Sequence, residues 1–317
     1  LAPAALSDDL GAAVDYALSK KVATHILTGF LAINLNTGEI EENKIDDKNI
    51  TVTTRQNAFA KTDDAVKYKD GYATVKTIKK GKSKVTIYDN SWKEIRNWEV
   101  KSNGKLRLAV GDIRNDDIPE IILAPAFKDK NVMVVFDMNG KPAVAKAMAG
   151  KEVGRFDIDV PHEGVNIGLV DTGNGKKEVV AVYRYKDKVK IHRFDKDLNL
   201  VSFTELDFIK KTGVIAAGDI DGDGLQDLIV AGGEGDAPFI GYYNLDGSLK
   251  RKFYGYDTKY AGGLNIMVGD YDKNGKDDVL VAPKTKEGSL VVWDNRSKKL
   301  GSWNFTLSGE AKFLPVY

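Results

Sequence analysis

Short apolar runs alternating with turns rich in Asp, Asn and Gly recur along the whole chain. One pattern is an alternating segment, a polar turn and a second segment. It reads Lys188-Val189-Lys190-Ile191-His192-Arg193-Phe194-Asp195 followed by Leu200-Val201-Ser202-Phe203. It returns at Phe239-Ile240-Gly241-Tyr242-Tyr243-Asn244 with Leu249-Lys250-Arg251-Lys252-Phe253, and at Ser289-Leu290-Val291-Val292-Trp293-Asp294 with Leu300-Gly301-Ser302-Trp303. Earlier copies open at Lys84, Asn131 and, in the weakest form, Gly29. Period-two alternation closed by Asp, Asn or Gly predicts β-hairpins. A second pattern precedes several of these hairpins. Val214-Ile215-Ala216-Ala217 and Leu264-Asn265-Ile266-Met267 lead into acidic turns, and Leu228-Ile229-Val230 and Val279-Leu280-Val281 follow them. These short β-rich runs predict buried strands. Only residues 8–21 have helical spacing, with Leu10, Val14, Ala17 and Leu18 on one face and Ser7 as N-cap.

The spacing of the hairpins decides the fold class. Equivalent positions at 85, 132, 189 and 290 lie 47, 57 and 101 residues apart, the last interval spanning two units. A unit of about 50 residues is the size of a four-stranded propeller blade. Such a unit cannot cover both of its sheet faces alone, so blades must pack in a ring. The sequence therefore predicts an all-β chain: a β-propeller of about six four-stranded blades, seven being the competing count. Residues 309–317 resemble an opening strand with no hairpin after it, and the hairpin at 29–46 lacks one. The C-terminal strand is expected to complete the first blade and remove the open edges. Residues 47–83 are assigned to the second blade, with its inner strands unplaced. Two segments result: an N-terminal helix or linker at 1–21 and a single propeller domain at 22–317.

The acidic turns carry the candidate chemistry. Asp219-Ile220-Asp221-Gly222-Asp223-Gly224-Leu225-Gln226-Asp227 and Asp270-Tyr271-Asp272-Lys273-Asn274-Gly275-Lys276-Asp277-Asp278 place oxygen-bearing side chains at positions 1, 3, 5 and 9, with Gly at 6. A hard cation needs such a curl of alternate oxygens, and the carbonyl of position 7 (Leu225 or Lys276) can add another. Carboxylates about 4 Å apart repel by roughly 4 kcal/mol per pair at an effective dielectric near 20. The alternative is an acidic turn that splays into solvent without an ion. All-oxygen ligands favour calcium over zinc or magnesium, with about two ions expected. An EF-hand is excluded, because position 12 is Val230 or Val281 and strands flank the loops.

With both patterns in hand, the chain resembles the FG-GAP/VCBS repeat proteins, which include the seven-bladed propellers of integrin α subunits. The family's Asp-x-Asp-x-Asp-Gly-x-x-Asp loop matches Asp219, Asp221, Asp223, Gly224 and Asp227, and Asp270, Asp272, Asn274, Gly275 and Asp278. Its Gly-Ala-Pro after the second strand survives in part at Leu123-Ala124-Pro125, Ala231-Gly232-Gly233 and Val281-Ala282-Pro283. The resemblance runs from about 104 to 307 and is weak before that. It implies a calcium-stabilised adhesion or recognition module, extracellular or at a cell surface, with a protein or carbohydrate ligand. Two further loops depart from the pattern. In Asp112-Ile113-Arg114-Asn115-Asp116-Asp117-Ile118-Pro119-Glu120, Arg114 stands at position 3, and a guanidinium there can replace the ion by pairing with Asp112, Asp116 or Glu120. Asp171-Thr172-Gly173-Asn174-Gly175-Lys176-Lys177-Glu178 is one residue shorter and is expected to hold no ion.

Composition narrows the alternatives. The 317 residues are 42% hydrophobic and 29% charged, with net charge +1, 31 Gly and no Cys. Disulfides and Cys-zinc sites are excluded, and no basic stripe suggests nucleic acid. No apolar stretch approaches the length of a membrane span. The start at Leu1 fits either a processed N-terminus or an excised segment. His25, His162 and His192 are scattered, and no nucleophile motif is present. Gly232-Gly233-Glu234-Gly235 lies between strands, so it is a loop and not a phosphate cradle. The aromatics Phe239, Tyr242, Tyr243, Phe253, Tyr254, Tyr256 and Tyr260 are expected to pack between blades, with a sugar-stacking platform as the alternative. No catalytic residue is assigned. The competing functions are a carbohydrate-active enzyme on a propeller scaffold, a lyase or a hydrolase, and a structural component of a surface assembly.

Overall fold

A computed structural model describes residues 30–33, 39–46, 49–57, 62–126, 133–141, 164–173, 175–285, 287–306 and 312–315. Among these residues there is no helix, and the helix expected within 1–21 lies outside them. The strands begin with β1 (Phe30–Ile33), β2 (Glu39–Asp46) and β3 (Asn49–Asn57). Four meanders follow in chain order: β4 (Asp64–Tyr68), β5 (Gly71–Lys79), β6 (Gly81–Asp89) and β7 (Glu94–Ser102); β8 (Leu106–Gly111), β9 (Glu120–Pro125) and β10 (Val134–Phe136); β11 (Val165–Asp171), β12 (Lys177–Tyr185), β13 (Lys188–Phe194) and β14 (Leu200–Leu206); β15 (Gly213–Gly218), β16 (Asp227–Gly232), β17 (Phe239–Tyr243) and β18 (Leu249–Tyr254). The last meander is β19 (Leu264–Gly269), β20 (Asp278–Pro283), β21 (Glu287–Trp293) and β22 (Lys299–Thr306), before β23 (Lys312–Pro315). All pairings are antiparallel except β22 with β3, which touch in parallel at Asn304–Asn49 and Phe305–Ile50. That contact joins the last meander to β3-β2-β1-β23 in one eight-stranded sheet.

One expectation needs correction. Residues 49–57 do not belong with the second sheet but pair with β2, from Asp46–Asn49 to Glu39–Asn57. Only two residues of sequence separate the two strands, so the pairing is between near neighbours along the chain. The inner strands of the second sheet are β4 and β5. β23 lies antiparallel to β1, from Phe30–Pro315 to Ile33–Lys312.

The first strand of each meander packs on the first strand of the next. β4 meets β8, β8 meets β11, β11 meets β15 and β15 meets β19; β23 meets both β19 and β4. The second strands explain how the sheets face one another. β9, β16 and β20 are buried at every residue. Alternate side chains leave a strand on opposite faces, so a continuous apolar run serves two cores at once. Ile121 and Leu123 join the cluster with Val75, Val85 and Leu108. Ile122 and Ala124 join the cluster on the other face, with Val179 and Ala181. Val180 and Val182 turn towards Leu228 and Val230, and Ile229 and Ala231 turn towards Val279 and Val281. Tyr242 and Tyr243 obey the same rule. Both are buried, in successive clusters, so neither is free to bind a ligand.

His192 lies in this packing, half-buried on β13 against Tyr183, Phe194 and Phe203. Its Nδ1 is 2.8 Å from the Tyr183 hydroxyl. Burial, helped by the charge of Lys190, pushes the imidazole down to about 4. Between about pH 6.5 and 4 the unfolded chain therefore binds a proton here that the folded chain does not. Stability is full above 6.5 and is lost as pH falls towards 4, by roughly 2–3 kcal/mol. In urea titrations, His192→Gln is expected to lose that much less stability than the parent between pH 7 and 4.

Candidate metal centre

The four acidic loops occupy one structural position, between the first and second strands of successive sheets: β8–β9, β11–β12, β15–β16 and β19–β20. Three share a backbone conformation. Positions 4 and 6 have positive φ at Gly222 (78°) and Gly224 (86°), at Lys273 (60°) and Gly275 (85°), and at Asn115 (58°) and Asp117 (64°). A Cβ on Gly224 or Gly275 would meet nothing within 4 Å, so the dihedral angle, not crowding, calls for glycine. The loop at 112–120 makes this turn with Asp117 where the other two have glycine. Asp117→Gly is expected to stabilise the protein by about 1 kcal/mol, read from the midpoint of a urea transition.

The position-1 carboxylate closes each turn. Asp219 accepts the amides of Gly222, Asp223 and Gly224 at 2.7–3.1 Å. Asp270 accepts those of Asn274 and Gly275 at 2.9 and 3.0 Å. Asp112 accepts those of Asp116 and Asp117 at 3.1 and 2.7 Å. The loops are therefore ordered by their own Asx turns.

In the loop at 270–278, carboxylate oxygens of Asp270, Asp272 and Asp278 lie within 4.8 Å of one another. Asp278 is 1% exposed. Its Oδ2 accepts the amides of Tyr271 and Asp272 at 3.0 and 3.1 Å, and its Oδ1 is buried with no hydrogen-bond partner. Burial and then Asp272 push this carboxyl up to about 7. Asn274 donates its side-chain amide to Asp272 Oδ2 at 3.0 Å, and its Oδ1 accepts the Lys276 amide at 2.8 Å. Among the described residues, no Lys or Arg pairs with these three carboxylates. A buried, unpartnered carboxylate oxygen beside two other carboxylates is a donor set that fits a divalent cation.

The loop at 219–227 gathers Asp219, Asp221 and Asp223 within the same 4.8 Å, but differs at position 9. Asp227 is 4% exposed, and burial raises its pKa against the opposing pull of Lys250. Lys250 Nζ, from β18, lies 2.6 Å from Asp227 Oδ1 and 2.6 Å from Asp221 Oδ2. Asp227 Oδ2 has no hydrogen-bond partner. At position 5, Asp223 accepts the Leu225 amide at 2.8 Å, and the Leu225 side chain is exposed. The two loops are also tied together. Asp277 Oδ2 accepts the Asp219 amide and the Asp277 amide donates to Asp219 O, each at 2.8 Å. Lys276 Nζ donates to Asp221 O at 2.6 Å. One sheet earlier, Gln226 Oε1 accepts the Asp171 amide at 2.7 Å.

The departed loops carry built-in cations. Arg114 Nε is 2.6 Å from Glu120 Oε1, and its terminal nitrogen is 3.3 Å from Asp116. The expected partners Asp116 and Glu120 are thus found, whereas Asp112 serves the backbone. Glu178, at the end of the shortened loop, pairs with Arg193 Nε of β13 at 2.9 Å. Neither Arg193 nor Lys250 was foreseen from sequence, because each reaches its loop from a later strand and lies outside the loop pattern. His25 and His162 fall outside the described residues. The loop around Gly235 is built on a carboxylate: Asp236 accepts the amides of Lys210, Lys211 and Thr212 at 2.8–3.1 Å.

Residues 219–281, which contain both complete acidic loops, match the FG-GAP-like repeat family. No curated protein matches the chain. Among solved structures, a protein of unknown function from Bacteroides caccae is similar at TM-score 0.56 and 13% identity, over 91% of this chain and 99% of that one. Aleuria aurantia lectin, solved in complex with alpha-methyl-L-fucoside, is similar at TM-score 0.53 and 15% identity, over 90% and 95%. The Dos1 propeller aligns at TM-score 0.48 and 11% identity, over 86% and 66%. The family match, the two likenesses at TM-scores of 0.56 and 0.53 and the face-to-face packing of successive meanders together support a β-propeller fold in which residues 219–281 carry FG-GAP-like repeats.

Proposed function

We propose that this is a calcium-stabilised, non-catalytic binding module, built as a closed ring of six blades. The run of first-strand contacts β4, β8, β11, β15, β19, β23 and back to β4 supports that count, with β23-β1-β2-β3 as the first blade. The observation that carries the calcium reading is the partnerless Asp278 Oδ1, buried beside Asp270 and Asp272. Asp270, Asp272, Asn274, the Lys276 carbonyl and Asp278 are the ligands of the first ion. Asp219, Asp221, Asp223, the Leu225 carbonyl and Asp227 are those of a second. The ions clamp the turn between the two innermost strands of a blade and leave the outer surfaces for recognition. Their role is structural, since an all-protein oxygen cage supplies no open position for a substrate.

A binding role at a cell surface or outside cells suits modest-affinity calcium loops, which fill at the millimolar calcium found there. Carbohydrate is the ligand class to test first, because a lectin shares the overall shape. Titration calorimetry with calcium, followed by a glycan panel scored for both binding and turnover, tests the reading. Calcium uptake with glycan or protein binding and no turnover supports it. Absence of calcium uptake removes the metal assignment, and turnover of a polysaccharide removes the non-catalytic one.

A further inference from the structure

Every one of the four loops ends on a buried carboxylate: Glu120, Glu178, Asp227 and Asp278, each 5% exposed or less. A buried carboxylate without a counter-charge is costly, and each blade meets the problem differently. Glu120 has Arg114 from its own loop, and Glu178 has Arg193 from the third strand of its sheet. Asp278 has no such partner among the described residues. Asp227 is intermediate, because its counter-charge is Lys250, on the outermost strand of its sheet.

The chemistry of the three internal cations separates them. Arg114 and Arg193 are planar guanidiniums fixed by further contacts, Arg114 to Asp116 and Arg193 to the Leu245 carbonyl at 2.6 Å. Lys250 is a point charge on a flexible stem. Its side chain is 22% exposed, and its chain neighbours Leu249 and Arg251 are both exposed, so the ammonium has a short path to water. It bridges Asp221 at position 3 and Asp227 at position 9, two oxygens that a bound ion would share.

We propose that Lys250 is a tethered cation competing with calcium for the loop at 219–227, so that this loop fills only by expelling the lysine while the loop at 270–278 fills directly. The inference rests on the calcium reading above and adds a rank order to its two sites. The exchange puts two positive charges where one stood and frees one ammonium to solvent. Affinity at 219–227 is therefore set by the difference between ion and lysine, and removing the lysine must raise it.

The test is calcium titration calorimetry on the full chain, comparing the parent, Lys250→Met, Asp278→Asn and the double variant. The parent is expected to show a tight site and a weaker one, with the tight one lost in Asp278→Asn. Lys250→Met is expected to tighten the weaker site at least tenfold, and the double variant to show that tightened site alone. Equal affinity at the remaining site in Asp278→Asn and in the double variant overturns the proposal while leaving the calcium reading intact. No uptake by any of the four proteins overturns both. Should Lys250→Met fail to fold, amine acetylation of the parent followed by mass spectrometry gives an independent readout. Lys250 is expected to react several-fold faster in saturating calcium than in EDTA, and an unchanged rate at two bound ions overturns the exchange.

Discussion

Calcium at about one hundred times its dissociation constant is expected to raise the melting temperature by roughly 5 °C over EDTA, and Asp278→Asn to abolish most of that rise. An ion that binds only the native state stabilises it by RT ln(1 + [L]/Kd), about 2.7 kcal/mol at that excess. A chain of this size shifts by roughly 2 °C per kcal/mol. The variant carries a second, opposite signature. Its side-chain amide keeps an acceptor for the backbone N–H groups of Tyr271 and Asp272 but removes the buried charge at the orphaned oxygen. In EDTA at pH 8 it is expected to melt at or above the parent, and in calcium below it. Differential scanning calorimetry in both buffers reads the crossing. A variant that simply weakened packing would melt lower in both, and that outcome would count against the ion.

Arg114→Met is expected to cost about 2–3 kcal/mol, less than the range for breaking a fully buried ion pair because the Arg114 side chain is 33% exposed. Glu120 is fully buried and its Oε2 accepts the Ile113 amide at 3.0 Å, so the loss of Arg114 strands a charge that cannot reach water. The penalty belongs to the stranded carboxylate and not to the missing contact. Arg114→Met with Glu120→Gln should therefore recover most of it, because Gln keeps the acceptor for Ile113 without the charge. Urea unfolding of the two single variants and the double variant gives the coupling. If the double variant is as unstable as Arg114→Met alone, the guanidinium acts through packing and the parallel with an ion fails.

The repeat and the loops are legible in the sequence because both are local. Hairpin alternation, the acidic spacing and the positive-φ positions are written within nine or so consecutive residues. The Arg114 substitution is legible for the same reason: cation and carboxylate sit in one loop. Lys250 and Arg193 are not, since each meets its carboxylate only after the chain has turned back once or twice through the sheet. The place of residues 49–57 is hidden because nothing in their alternation says which neighbour they join, and they pair with the strand just before them in sequence. β4 and β5 are obscured because Lys67, Lys76 and Lys79 dilute the apolar run, although Lys67 is buried, its ammonium held by the Tyr68 carbonyl and Asn90. Tyr242 and Tyr243 show the limit of a correct periodicity. It places them on opposite faces but cannot tell that both faces are covered.

The odd and even residues of β9, β12 and β16 write two different cores. The unit that can be cut out or copied without loss is therefore not the sheet. Deleting one meander would bring together two surfaces that were never shaped for each other, Leu228 and Val230 facing Ile122 and Ala124, for instance, if residues 165–206 were removed. A graft that keeps its seams must instead run from the middle of one sheet to the middle of the next, carrying half of each. Shortening or lengthening the array of sheets is thus a problem of matching interfaces, with the acidic loops travelling as passengers at their edge.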